Sequence, residues 1–297
     1  MISTFALHRP ASVTDAVALS VEHGEAARFY AGGTELLLVL REGFLVAEHL
    51  IDVKRIPALA GIRAAEDGAL HIGAATTHTD IERSALIRAR FPVLAALESR
   101  IANVRVRNTG TLGGNLCFAE PHGDPATLLV TAGAMLSLVG PQGSREALLE
   151  DWIRGPFDVD LRSSELLSEI VIPPAAPRSG YGYRRFRSLE RPSVAVAARV
   201  DLADDGSVVG CRLATGCAGP RPQRLERAEA ALVRVAGRSL ARASFDISAI
   251  AGDEADVMED AYGPVEHKRQ LIRVLSRRAL LDAAAEARGD IVGVIAR

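Results

Sequence analysis

Hydrophobic positions along this chain recur at two spacings: the two-residue period of half-buried strands and the three-to-four-residue period of amphipathic helices. Residues 5–8 read as a short strand. Ser12-Val13-Thr14-Asp15 then has the form of a capping box, opening a helix that ends near Gly24. A strand over 28–30 leads into Ala31-Gly32-Gly33-Thr34-Glu35, where Thr34 is expected to cap a helix over 35–41 that Gly43 stops. A strand over 50–53 completes a first unit, residues 1–54.

A second unit, residues 55–175, begins near Ile56-Pro57. It holds a strand over 69–74, a second capping box at Thr79-Asp80-Ile81-Glu82, and a helix opened by Pro92 that runs to about residue 102. A second glycine-rich loop, Thr109-Gly110-Thr111-Leu112-Gly113-Gly114-Asn115, follows. Asp124-Pro125 then starts a helix with proline in its favoured first position, ending at Gly133 before a strand over 135–139. The run from Pro173 to Gly180 is rich in proline and marks a linker. The third unit, residues 176–297, has apolar β runs at 194–202 and 208–214, joined by the turn Asp204-Asp205-Gly206. Helical patterns cover 223–236 and 254–287, with Pro264 interrupting the second, whose charged face reads as solvated. With its strands followed by helices, the third unit reads as a sheet covered by helices, an α+β layout.

Composition narrows the function classes. The 297 residues are 48% hydrophobic and 24% charged, enough for several cores. A net charge of −2 gives no electrostatic footprint for nucleic acid or anionic lipid. No run reaches the roughly 18 to 20 uninterrupted apolar residues of a membrane helix. The opening residues lack a basic stretch followed by an apolar one, so a cytoplasmic protein is expected. Three cysteines, at 117, 211 and 217, fit no zinc or iron–sulfur spacing, and the seven histidines form no H-x-x-x-H or H-x-H pair. No metal site is expected on this chain.

The candidate chemistry lies in the two glycine loops. A Gly-Gly pair lets backbone approach a ligand closely and take positive φ without a Cβ penalty. Successive amides in such a turn converge on an anion, so two turns are able to grip one pyrophosphate from opposite sides. The usual nucleotide fingerprints are absent: Gly180-Tyr181-Gly182 lacks its third glycine, and no G-x-x-x-x-G-K exists. There is no G-x-S-x-G elbow either, and no Ser-His-Asp order.

Both loops, with Ile51-Asp52-Val53, Gly73-Ala74-Ala75-Thr76-Thr77-His78, Val104-Arg105-Val106-Arg107-Asn108, Gly123-Asp124-Pro125 and Pro220-Arg221-Pro222, resemble the FAD-binding medium subunit of the molybdenum hydroxylases. That group contains xanthine dehydrogenase and carbon monoxide dehydrogenase. The resemblance implies a two-lobed FAD-binding domain of the PCMH/vanillyl-alcohol-oxidase type, followed by a smaller α+β C-terminal domain. It implies cofactor contacts from Ala31 to Leu36, with the amides of Gly32, Gly33, Thr34 and Glu35 on one side of the pyrophosphate. Thr109, Thr111, Gly113, Gly114 and Asn115 supply the other side. Asp124 either accepts from the ribityl hydroxyls or serves only as an N-cap before Pro125. Leu166 and Leu167 either touch the isoalloxazine ring or are plain buried strand residues. Arg185 stands where many members carry Lys near the flavin, or else faces solvent. The partners implied are a small subunit with 2Fe-2S clusters and a large subunit with the molybdenum cofactor, in a dimer of heterotrimers. Electrons would pass through FAD to NAD, a quinone or oxygen. The alternatives are a free-standing FAD-dependent oxidoreductase of the same fold, and a structural subunit without flavin.

Overall fold

The computed structural model describes residues 4–187, 190–233 and 240–290. Three parallel strands come first, with His49–Asp52 between Ala6–His8 and Ala27–Tyr30. A central parallel strand is covered on both faces and so reads as an apolar run; Leu50 and Ile51 are fully buried. One covering element is the helix Val13–His23, whose Ser12 side chain accepts the Asp15 amide and whose end is marked by Gly24. Its Ala16 and Val17 pack with Ile51, Ile56 and Leu59.

The second sheet is antiparallel, in the order Ile62–Ala64, Leu70–Gly73, Leu166–Ile172, Met135–Gly140, Gly143–Leu148. Its middle strand, Leu166–Ile172, arrives last along the chain. The helix Pro125–Ala132 is apolar all round and buried at every residue, as a helix must be when both of its sides meet protein. It lies between this lobe and the third sheet, touching the strands Val194–Leu202 and Val208–Gly216.

That third sheet runs Ser179–Phe186, Val194–Leu202, Val208–Gly216, Gln223–Arg224, all antiparallel. The helix Val265–Arg288 lies across its first two strands. Gly180 and Gly182 make this possible: a Cβ at either would collide with the backbone of Ala283 or Ala279 in that helix. This is why two glycines flank Tyr181 without forming part of a nucleotide fingerprint.

Several local expectations are corrected. The helix after the first glycine loop is Leu36–Arg41 and has no side-chain cap, so Thr34 does not cap it. The second capping box starts two residues earlier than expected: Thr77 accepts the Asp80 amide and opens His78–Arg83. The helix from Pro92 ends at Glu98, and Asn103 caps a separate turn, Val104–Arg107. The run 173–180 is not all linker, because Ser179 and Gly180 already pair in the third sheet. The pattern at 223–236 divides into the strand Gln223–Arg224 and the helix Glu226–Val233, and residues 234–236 lie outside the described residues. A helix over Leu240–Glu254 precedes the last one, which begins only after Pro264. Proline has no N–H to lose at a helix entry, whereas inside a helix it breaks a bond. The charged face of that last helix is also not wholly solvated. Lys268 is fully buried, its Nζ donating to the Met258 carbonyl at 2.9 Å and to Asp260 at 2.6 Å. Among the described residues no helix is long and apolar enough to cross a membrane.

Candidate functional site

The ends of the strands Ala27–Tyr30 and Leu70–Gly73 both run into loops that face one cavity of about 1050 Å³. It is walled by the first lobe, the second lobe and residues at the end of the strand Ser179–Phe186 and just before the strand Val194–Leu202. Ala31, Gly32, Gly33, Thr34, Glu35 and Leu36 line it, as do Thr111, Gly113, Gly114 and Asn115. Asp124, Leu166, Leu167 and Arg185 complete the set expected from sequence. Thr109 is not a lining residue; its carbonyl instead lies against Gly32.

The glycines of the two loops have different jobs. A Cβ on Gly32 would strike the Thr109 carbonyl and the Gly110 Cα, so this glycine lets the loops touch. Gly33 sits at φ 70°, a left-handed conformation that costs other residues about 1–2 kcal/mol. Gly113 makes room for Ala74, with a built Cβ only 2.6 Å from the Ala74 carbonyl.

The amides differ as well. Those of Gly32, Gly33, Thr34 and Glu35 have no acceptor among the described residues. The second glycine run is not all loop: Gly113, Gly114 and Asn115 lie in the first turn of the helix Leu112–Phe118, which Thr111 caps. There Gly113 donates to the Ala74 carbonyl at 2.9 Å and Asn115 to the Thr111 carbonyl at 3.0 Å. Gly114 donates to Thr111 Oγ1, also at 3.0 Å. The first loop therefore offers bare backbone donors, while the second offers the Thr111 hydroxyl and the Asn115 side chain. The Glu35 carboxylate is drawn off to Arg191 at 3.2 Å. Arg191 also pairs with Glu120, so it ties the first loop to the second lobe.

Asp124 occupies the N-cap position of Pro125–Ala132 but makes no capping bond. Its carboxylate accepts instead from the Tyr183 hydroxyl and from Arg185. Burial pushes the Asp124 carboxyl above its ordinary value, and the Arg185 charge and the two hydrogen bonds pull the other way. Arg185 also donates to the Arg100 carbonyl at 2.9 Å, so it is a partly buried partner of Asp124 and does not simply face solvent. Tyr183 is fully buried, and burial raises its hydroxyl well above the usual range.

Leu166 and Leu167 open the middle strand of the second sheet; both are buried and both border the cavity. Glu165, just before them, is held by Arg145 at 2.8 Å through two hydrogen bonds, and this partner lowers its carboxyl below the ordinary 4.5. Cys117 lines the cavity as well, but burial pushes its thiol up to about 12, which removes it as a nucleophile. His78 also borders the cavity, and its Nδ1 lies 2.6 Å from a carboxylate oxygen of the fully buried Glu98. Tyr183, Arg191 and Glu98 carry no local sequence signal, since their partners are distant along the chain.

The wall thus combines an apolar strip, a row of unpaired amides and the carboxylates of Glu35, Glu120, Asp124 and Glu165, each paired with an arginine. It is suited to holding an extended ligand with an anionic middle, and among the described residues it offers no nucleophile or metal-ligand set.

The chain matches two families in sequence. Residues 3–175 match the FAD binding domain in molybdopterin dehydrogenase, and residues 181–283 match the CO dehydrogenase flavoprotein C-terminal domain. It is 33% identical over 289 residues to the carbon monoxide dehydrogenase medium chain of Afipia carboxidovorans, covering 96% of this chain and 98% of that one. It is 29% identical over 295 residues to the xanthine dehydrogenase FAD-binding subunit of Escherichia coli O157:H7, covering 96% and 97%. Its fold superimposes on a chain of the reconstituted CO dehydrogenase from Oligotropha carboxidovorans with a TM-score of 0.90 at 31% identity, covering 96% and 99%.

Proposed function

This chain belongs to the FAD-binding subunits of the molybdenum hydroxylases, and we propose that it holds FAD in the cavity between its lobes as the electron-transfer subunit of such a complex. The observation that carries this reading is the row of four unpartnered amides, Gly32 to Glu35, on the cavity wall. Hydrogen bonds from backbone N–H to a phosphate are charge-assisted and about twice as strong as neutral ones. In this arrangement the first loop binds the pyrophosphate with its backbone, and Thr111 and Asn115 add side-chain donors from the other side. Arg191 holds the Glu35 carboxylate away from the phosphates. Asp124, fixed by Tyr183 and Arg185, keeps lone pairs free for the ribityl hydroxyls. Leu166 and Leu167 give the isoalloxazine an apolar wall.

When bound, FAD supplies chemistry that accepts electrons singly and releases them singly or in pairs. The chain's part is placement and exclusion of water along the apolar wall. The partners proposed are a small 2Fe-2S subunit, a large molybdenum-cofactor subunit and a second heterotrimer, in the cytoplasm, with an external acceptor. The test is expression with and without these partners. The expected result is one FAD per chain, and flavin reduction by substrate only in the full complex. A chain that carries no flavin in the assembled complex, or that is reduced by substrate alone, overturns the reading.

A further inference from the structure

Away from the cavity, three histidines from three separate elements meet on the first lobe. His8 ends the strand Ala6–His8, His49 opens the neighbouring strand His49–Asp52, and His23 is the last residue of the helix Val13–His23. In the register of the two strands Ala6 stands opposite His49, which puts His8 and His49 on one face. The His23 and His49 rings stack with centroids 3.8 Å apart, and the His8 ring lies 4.8 Å from His23 and 5.2 Å from His49. One ring nitrogen from each falls within 4.8 Å of the others. None of the three lines the FAD cavity, and all are partly exposed.

We propose that His8, His23 and His49 form a binding site for a divalent transition-metal ion of the zinc class. Imidazole is a preferred ligand of zinc, copper and nickel, and three histidines with solvent in the fourth position is an established zinc geometry. Bonds of 2.0–2.1 Å in a tetrahedron place ligand nitrogens about 3.4 Å apart. His8 Nε2 and His49 Nδ1 already stand 3.0 Å apart. They share one hydrogen bond, so coordination asks the donor ring to move its proton to its other nitrogen, with no net proton lost. The His23 ring has no hydrogen-bond partner among the described residues, and it must tilt out of its stack on His49 for its nitrogen to point at the same ion. No carboxylate bonds any of the three rings among the described residues, so no described acid competes for these nitrogens. A cation there ties the end of the helix to two strands of the first lobe. The proposal departs from the expectation of no metal site, which rested on spacing along the chain: the residues lie 15, 26 and 41 positions apart, beyond any local motif.

The experiment is isothermal titration of the chelator-treated, FAD-loaded full chain with Zn²⁺, with Co²⁺ as a spectroscopic probe. The expected result is one Zn²⁺ per chain and a visible tetrahedral Co²⁺ band. His23→Gln should weaken Zn²⁺ binding at least tenfold and abolish the band, with FAD content unchanged. His49→Gln serves as the second variant, and His23 at a helix end keeps the test independent of strand folding. Less than one equivalent bound, or equal affinity in wild type and His23→Gln, overturns the proposal.

Discussion

Gly32 offers the sharpest test of how the cavity is assembled. A Cβ at this position lands on the Thr109 carbonyl and the Gly110 Cα, both backbone atoms that no side-chain rotation can move. Its φ is not left-handed, so Gly32→Ala isolates steric wedging from backbone strain. Overpacking of this kind costs about 1–3 kcal/mol, and its relief requires the two loops to part. Two controls bracket it. Gly43 sits at φ 77° with open space around a Cβ, so Gly43→Ala carries only the strain of about 1–2 kcal/mol. Gly33→Ala adds to that strain a clash with the Tyr30 ring, which can swing aside. Urea unfolding gives the stability of each variant, and flavin released on denaturation gives its FAD content. Gly32→Ala should lose most FAD while Gly43→Ala, though destabilised, keeps it. Full FAD occupancy and unchanged stability in Gly32→Ala would show that the loops do not depend on this contact.

Two further expectations follow from the buried ion pairs. Asp124→Ala leaves the Tyr183 hydroxyl and the Arg185 guanidinium, 12% exposed, without their acceptor. Stranding a buried charge costs about 3–5 kcal/mol, against about 1 kcal/mol for a lost cap; a chemical-denaturation loss of only the smaller figure would refute the pairing. Glu165 has its carboxyl lowered by Arg145, so its contribution is present above the ordinary 4.5 and fades as pH falls below it. The gap in unfolding free energy between wild type and Glu165→Gln should therefore shrink in acid, and a gap constant with pH argues against the shift.

Much of the first two lobes was legible because their signals are local. Ser12 before Asp15, Pro125 at a helix start and Gly133 at its end each act within a few residues. The glycine loops were likewise visible, since a Gly-Gly pair opening a helix is a pattern of adjacent residues. Placing the strand Leu166–Ile172 was harder. It pairs with Leu70–Gly73 and Met135–Gly140, and only the antiparallel register across these distances reveals it as the centre of a sheet.

Where the glycine runs lie, the class of ligand they suit and the α+β character of the chain can be read from adjacent residues. Which donors remain free is a matter of tertiary packing. The second loop's amides are taken by Ala74 and Thr111, while those of the first stay bare. It also decided that Asp124 answers to Tyr183 and Arg185, residues 59 and 61 positions away, and that three scattered histidines meet. A hydrogen bond or a ligand set is fixed by distance in space. Local periodicity reports only which face a residue takes, and the partner across that face is chosen by the packing of whole lobes.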